Sequence, residues 1–223
     1  MSQGLTSRRR QAAGLVSGSG PLPRSFYARP TVTVARALLG ARLVRIIDGR
    51  RLAGVITETE AYVGTQDLGC HARAGVTPRT RVMFGPPGRA YVYFTYGNHW
   101  MLCVVTERAG FPAAVLIRAF HPTEGAHEVA RRRGGRDTSG PGKLTQALGI
   151  AREQNDTDMT SRDAGLWIER GWRVSKSSTV VGPRVGLNNV PEPWKSMPWR
   201  FRARAWSAAP SRVSEKSGRP VQL

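Results

Sequence analysis

The chain has 223 residues, of which 40% are hydrophobic, and a mean hydropathy of -0.35. This length and composition predict a soluble globular protein with one sizeable core and exclude two large domains. No apolar run approaches the roughly 18 residues of a membrane-spanning helix, and two cysteines are too few for a disulfide framework, so we expect a cytoplasmic protein and no membrane partner.

Charge is the strongest signal in the composition. The chain carries 34 Lys and Arg against 15 Asp and Glu, a formal net charge of +19. Such an excess attracts polyanions and predicts salt-dependent binding to DNA or RNA, and therefore a position near the nucleoid. On charge alone, a ribosomal protein or a surplus that serves solubility is the alternative explanation.

The two ends of the chain differ from its middle. Residues 1–25 and 207–223 are rich in Gly, Ser, Arg and Pro and lack a periodic apolar pattern, which predicts a disordered basic N-terminal tail and a flexible C-terminal tail. The folded domain is therefore expected over residues 26–206.

The first elements along the chain are a helix and a hairpin. Thr33 to Leu39 is predicted to be a short helix, with Thr33 as its N-cap and Gly40 at its end. Arg42 to Ile47 and Arg51 to Tyr62 are predicted to pair as a β-hairpin, since the Asp48-Gly49 dipeptide between them is a strong turn signal.

A second hairpin is predicted from Arg89 to Tyr96 and His99 to Glu107, with Gly97-Asn98 at its tip, and Ala113 to Phe120 adds a third apolar strand. Helices are then expected from a Thr123 cap to about Arg133 and from Lys143 to Ile150, followed by strands near 180–185 and 200–205. The strands are clustered and do not alternate with helices, which predicts an α+β domain.

The strand that ends at Tyr62 carries two acids where a core strand would carry Val, Ile or Leu. Burying an unpaired carboxylate costs several kcal/mol, so an acid at this position requires a structural or functional explanation. In a regular strand Ile56, Glu58, Glu60 and Tyr62 share one face. Glu60 is either a surface ion-pair partner of an arginine or a general base in a ring-lined cleft. Glu58 is either structural or the second acid of a two-carboxylate glycosidase.

Aromatic residues follow in the second hairpin. Tyr91 and Tyr93 share a face, and Tyr93 can line a pocket there, whereas Tyr96 lies on the opposite face beside the tip. An exposed aromatic there could wedge between base pairs, or it could simply pack against the sheet. His71, beside Cys70, is either a hydrogen-bonded structural residue or a pocket residue.

The sequence gives little support for a zinc site or for a phosphate-binding loop. Cys70, His71, His99 and Cys103 match no standard zinc spacing. The glycines before Lys143 lack the spacing of a phosphate-binding loop, so nucleotide hydrolysis is not predicted.

These residues identify a resemblance to the alkyladenine (3-methyladenine) DNA glycosylases of the mammalian type, a family that removes alkylated or deaminated purines. The similarity runs from about Ala37 to Phe201. It rests on ordered matches at Glu58-Thr59-Glu60-Ala61-Tyr62, His71, Thr77-Pro78-Arg79, Met83-Phe84, Tyr91-Val92-Tyr93, Tyr96-Gly97, Leu116-Ile117-Arg118-Ala119, Ser139-Gly140-Pro141, Lys143-Leu144 and Arg184-Val185-Gly186.

The resemblance implies one α+β domain around a curved, mainly antiparallel sheet with flanking helices and a protruding β-hairpin that enters the DNA minor groove. It implies that Glu60 activates a water, which Arg118 and the main-chain carbonyl of Val185 help to hold. It also implies a monofunctional hydrolase of base-excision repair that uses no metal, no lysine Schiff base and no other cofactor. The expected partner is double-stranded DNA containing damaged purines, and the protein is expected to be a monomer.

The same resemblance assigns the base-binding residues. Tyr62, His71 and Tyr93 would sandwich the flipped base, and Tyr96 would fill the gap left in the duplex. Cys103 stands where the family usually has Asn, whose amide crowds the guanine 2-amino group. Since a thiol is smaller and a weak hydrogen-bonder, either this pocket excludes guanine-type bases less strictly or another group supplies the clash.

Two alternatives to an enzyme remain open from the sequence. A non-catalytic binder of damaged DNA would flip the base without releasing it. A general basic nucleic-acid-binding protein would show no preference for lesions, although it would need neither the tyrosines nor Glu60.

Overall fold

The computed structural model describes residues 20–95 and 97–204. Over these residues the chain forms a single α+β domain, in which eight strands build one curled antiparallel sheet with a few short helices. The strands are β1 (Arg42–Ile47), β2 (Arg50–Val63), β3 (Ala90–Thr95), β4 (His99–Val105), β5 (Ala113–Glu124), β6 (Leu166–Glu169), β7 (Thr179–Gly182) and β8 (Arg200–Ala203). The helices are α1 (Arg24–Tyr27), α2 (Thr31–Ala37), α3 (Ala126–Arg133) and α4 (Pro141–Ala147), and short 3₁₀ turns cover His71–Ala74, Arg81–Phe84 and Arg152–Gln154.

Strand β2 organises the sheet. The main order is β3-β4-β5-β2-β1-β6, and β8, which also pairs with β7, joins β2 beside Glu58, Thr59 and Glu60. The β1–β2 hairpin turns at Asp48 and Gly49, whose φ angles of 50° and 72° suit the mirror-image turn that matches strand twist. Both predicted hairpins, the α+β class and the curved antiparallel sheet are confirmed.

Three register shifts interrupt the pairing of β2 with β5, and two of them lie beside Glu58. Ile56 pairs with Phe120, Glu58 with Ala119 and Thr59 with Ile117, so Thr57 is the extra residue on β2 and Arg118 the extra residue on β5. A bulge shifts the alternation of side chains by one position.

The bulge separates Ile56 from the residues that follow it. Ile56 and Ala61 lie in the larger hydrophobic core, whereas Tyr62 packs against a second, smaller one. The expectation that Ile56 shares a face with Tyr62 is therefore wrong, because it assumed a regular strand.

The buried hydrophobic residues that the structure describes form three clusters, and the two largest lie on opposite faces of the sheet. The larger is filled from α2, α4 and the sheet, including Val34, Leu38 and Leu144. The smaller lies on the other side and contains Met83 and Tyr91, both almost fully buried. The second core forms the floor of the cleft described below.

Several element boundaries differ from the predictions. Helix α2 begins at Thr31, where the Glu107 carboxylate accepts hydrogen bonds from the Thr31 N–H (2.9 Å) and hydroxyl (2.8 Å), so Thr33 is not the N-cap. Thr123 belongs to β5, and α3 starts after Gly125. Helix α4 lies two to three residues earlier than expected, and β6 was not predicted.

Part of the predicted N-terminal tail is ordered. Leu22 is buried and donates its N–H to the Ile168 carbonyl at 2.7 Å, and α1 begins at Arg24. Residues 1–19 and 205–223 lie outside the described residues. Within the described ranges, no helix is long and apolar enough to cross a membrane.

Candidate active site

Glu60 lies near the C-terminal end of β2 with its side chain completely buried. Its Oε1 accepts the Val185 N–H at 2.8 Å, and its Oε2 accepts the Tyr62 hydroxyl at 2.9 Å and Nη1 of Arg118 at 3.3 Å. Four of the residues predicted for the site therefore meet at one carboxyl group. The contact of Val185 is made by its N–H, whereas the resemblance assigned a role to its carbonyl.

The surroundings of Glu60 raise the pKa of its carboxyl. Burial is the largest cause, and it outweighs the opposing effects of Arg118, the Val185 N–H and the Tyr62 hydroxyl. Burial and the neighbouring Glu60 also raise the pKa of Tyr62 well above its ordinary value, so its hydroxyl stays protonated and can donate. A carboxyl with a raised pKa is a stronger base once it is ionised.

Arg118 is held from both sides. Its Nε donates to Oε1 of Glu58 at 3.0 Å while its Nη1 reaches Glu60, and Arg200 donates its Nε to the same Glu58 oxygen at 2.6 Å. The bulge at Arg118 places its side chain between the two acids. In this arrangement Glu58 orients Arg118, whereas Glu60 contacts Tyr62 and Val185 as well as Arg118.

A cleft of about 610 Å³ lies directly over this group. Its lining includes Tyr62, Arg118 and Val185. Each of these residues contacts Glu60, which lies behind the lining. Because Glu60 itself is buried, the cleft reaches its carboxyl only past these neighbours.

Aromatic rings form one side of the cleft. Tyr91 and Tyr93 stack with their centroids 5.1 Å apart, as expected for residues on one face of β3. His71 meets Tyr93 edge-on at 4.6 Å, and its Nδ1 lies 3.1 Å from the Tyr91 hydroxyl. The structure thus brings His71 beside Tyr93, and it adds Tyr91 as the residue that orients the imidazole.

His71 is neutral at physiological pH. Burial, followed by the charges of Arg79 and Arg73, lowers its pKa to about 4. A neutral imidazole does not repel a positively charged ligand in the cleft.

The floor of the cleft contains both cysteines as free, buried thiols. Cys103 lies on β4, paired with Tyr91 on one side and Leu116 on the other. Burial raises the pKa of Cys70 to about 12 and that of Cys103 well above its ordinary value, so both remain protonated. Among the described residues, no group of three or more His, Cys, Asp or Glu side chains could hold a metal ion.

The chain is similar to known proteins over most of its length. Residues 25–206 match the methylpurine-DNA glycosylase family. The chain belongs to this family. The resemblance identified from the sequence is thereby confirmed, together with the enzyme class, a DNA glycosylase and hydrolase that acts in the repair of alkylated bases.

Relatives cover most of the chain. A protein of Anaeromyxobacter dehalogenans (strain 2CP-C) is 49% identical over 193 residues, which are 85% of this chain and 87% of the relative. One of Myxococcus xanthus (strain DK1622) is 47% identical, covering 82% and 90%, and one of Methanocella arvoryzae (strain DSM 22066 / NBRC 105507 / MRE50) is 48% identical, covering 81% and 90%. Each is named "Putative 3-methyladenine DNA glycosylase".

Two features of this glycosylase complete the description. Tyr96 lies outside the described residues, while its neighbours Gly97 and Asn98 at the β3–β4 tip are exposed. Asp67 was not singled out from the sequence, yet it pairs with Arg184 beside the site. No sequence signal links these two, since 117 positions separate them.

Proposed function

We propose that this protein is a DNA repair N-glycosylase that flips alkylated or deaminated purines out of duplex DNA and hydrolyses the N-glycosidic bond, leaving an abasic site. The supporting observation is one buried carboxyl, Glu60, in contact with Tyr62, Arg118 and Val185 directly behind an aromatic cleft. A protein that only binds phosphates needs neither the buried acid nor the rings.

The cleft would take the flipped base between Tyr62 on one side and His71 and Tyr93 on the other. A methylated purine carries positive charge, so tyrosine faces attract it by cation–π and stacking forces of about 0.5–2 kcal/mol. A neutral His71 adds a ring without a repelling charge. Damaged bases also pair weakly, which makes their extrusion easier than that of normal bases.

Glu60 would act as the general base. Its Oε2 already accepts two hydrogen bonds and its Oε1 only one, so Oε1 keeps a lone pair for water. Because Glu60 is fully buried, the water would have to reach Oε1 past the wall formed by Tyr62, Arg118 and Val185, where Arg118 and the Val185 carbonyl would help to hold it.

In the proposed reaction, the deoxyribose C1′ exchanges its bond to the base for a bond to water. The bond between the deoxyribose C1′ and the purine nitrogen breaks, and the base leaves with the electron pair. A cationic methylated base leaves as a neutral molecule, whereas an uncharged base such as hypoxanthine leaves as an anion and takes a proton from solvent. The water oxygen bonds to C1′ as its proton passes to Glu60. The carboxylate also stabilises the positive charge that develops on the sugar.

Binding to the duplex would use the hairpin of β3 and β4. Its exposed tip would enter the minor groove, with Tyr96 filling the space left by the flipped base. The net charge of +19 would supply the phosphate contacts, so affinity should fall steeply as salt rises.

Release of free base from duplexes that carry 3-methyladenine, 7-methylguanine, hypoxanthine or ethenoadenine tests this function. We expect release from at least one lesion duplex and none from an undamaged duplex of the same sequence. Selective binding without release would instead support a non-catalytic binder, and binding without lesion preference would support a general nucleic-acid-binding protein.

A further inference from the structure

Arg184 and Asp67 form an ion pair that is completely buried. Both side chains are 0% exposed, with Nη1 of Arg184 at 2.5 Å and Nη2 at 2.8 Å from the two oxygens of Asp67. Such a bidentate pair fixes orientation as well as distance. The pair lies next to the catalytic group, because Arg184 directly precedes Val185.

Arg184 also contacts the strand that carries Glu60. Its Nη1 donates to the carbonyl of Ala61 at 3.1 Å, and its guanidinium carbon lies 4.7 Å from the centre of the Tyr62 ring. Its Nη2 donates to the Trp194 carbonyl at 3.1 Å. One side chain therefore links β2 to both ends of the segment between β7 and β8.

Asp67 organises the turn between β2 and His71. Its Oδ2 accepts the Val63 N–H at 3.1 Å, its Oδ1 accepts the Gly69 N–H at 2.9 Å, and its carbonyl accepts the Cys70 N–H at 2.8 Å. At Gly69 a Cβ would lie 2.9 Å from Nη2 of Arg184, so the turn closes directly against the ion pair.

We propose that Asp67 and Arg184 are positioning residues for the active site, which together hold the Val185 N–H and the Tyr62 hydroxyl against Glu60 and fix the turn that leads to His71. This inference rests on the proposed function. The ion pair would act through Glu60 and would not touch the substrate. The pair joins the segment that carries Val185 to the strand and turn that carry Tyr62 and His71, across a separation of 117 positions in the sequence.

The ion pair would also affect the pKa of Glu60, which an ion pair that only stabilises the fold would not do. The Val185 N–H bond lowers the pKa of Glu60. If Arg184 is shortened, Val185 is released from Glu60, the pKa of Glu60 rises, and a higher pH is needed to ionise the general base.

Arg184→Lys is the main test, because lysine keeps the charge but cannot form the bidentate pair. Its matched control is Arg51→Lys, which breaks a similar arrangement in which Arg51 donates to Glu124 and Glu169 at 2.7 Å each, away from the cleft lining. Carbon-13 NMR titration of the glutamate carboxyls, with Glu60 assigned by Glu60→Gln, measures the pKa of Glu60 in each folded protein. Single-turnover release of 3-methyladenine from methylated DNA, and affinity for a duplex with an abasic-site analogue, are measured in parallel.

We expect Arg184→Lys to raise the pKa of Glu60, to slow base release at least tenfold, and to change affinity less than threefold, while Arg51→Lys behaves as wild type. Asp67→Asn, which keeps an acceptor oxygen for the turn, should act in the same direction and replaces Arg184→Lys if that variant does not fold. An unchanged pKa of Glu60 in a folded variant would overturn the proposal. If the wild type released no base, the proposed function would fail, yet the NMR comparison would still decide the role of the pair.

Discussion

The Tyr62 hydroxyl donates to Oε2 of Glu60 at 2.9 Å, although the same tyrosine lines the cleft that would receive the base. One side chain thus has two separable functions. Its ring can stack on a purine, and its hydroxyl lowers the pKa of the carboxyl behind it. Removing the hydroxyl oxygen of Tyr62 separates these two functions.

Tyr62→Phe should therefore keep lesion affinity and slow base release. A hydrogen bond to a charged group contributes about 1.5–3 kcal/mol, which corresponds to roughly 10- to 100-fold in rate if all of it acts on the chemical step. The pKa of Glu60 should rise, so the acidic limb of the pH–rate profile should move to higher pH. Single-turnover rates between pH 5 and 9 check this. Tyr62→Leu is the control that should lose affinity as well, and a Phe variant with the profile of wild type would contradict the assignment.

His71 should make the stability of the protein depend on pH. Its pKa is about 4 in the folded state and 6.5 as a free side chain, so between these values the unfolded chain binds more protons. Its contribution to stability is therefore present above pH 6.5 and is lost as the pH falls toward about 4.

Urea unfolding at a series of pH values measures this effect. In His71→Gln the free energy of unfolding should fall less steeply on acidification than in wild type. The exposed His127 provides the matched control, since His127→Gln should leave the slope unchanged. Equal slopes for wild type and His71→Gln would show that His71 is not kept neutral by its surroundings.

Cys103 should set the acceptance of guanine-type bases. The thiol lies on the floor of the cleft, is almost fully buried, and is smaller than the asparagine that the family usually has there. Cys103→Asn should reduce release of 7-methylguanine about tenfold or more and leave release of 3-methyladenine within a few-fold of wild type. Equal 7-methylguanine rates in wild type and variant would remove this explanation. Cys70→Ser at the neighbouring thiol controls for simple disturbance of the floor.

Local signals in the sequence predicted much of the fold. Asp48-Gly49 predicted the first hairpin because both positions adopt positive φ angles there, and clustered apolar strands predicted the α+β class. Strand β6 was missed because Leu166–Glu169 is buried at all four positions and shows no alternation. The start of α2 was missed because its cap comes from Glu107, which is distant in the sequence.

The site was predicted in its residues but not in its geometry. Strand alternation placed Glu60 with Tyr62, yet it could not reveal the bulges at Thr57 and Arg118, which depend on the pairing with β5. The contact of Val185 with Glu60 spans 125 positions. Such long-range contacts follow from the pairing of β8 with β2 and of β7 with β8, which no local pattern encodes.

The most direct test of the account is Glu60→Gln in a single-turnover assay with a lesion duplex that the wild type processes. Glutamine keeps the size of the side chain and one of its two acceptor oxygens, but it cannot accept a proton from water. We predict that the variant binds the duplex within threefold of wild type and releases base about 10²- to 10⁴-fold more slowly. Base release at the wild-type rate would contradict the assignment of Glu60 as the general base.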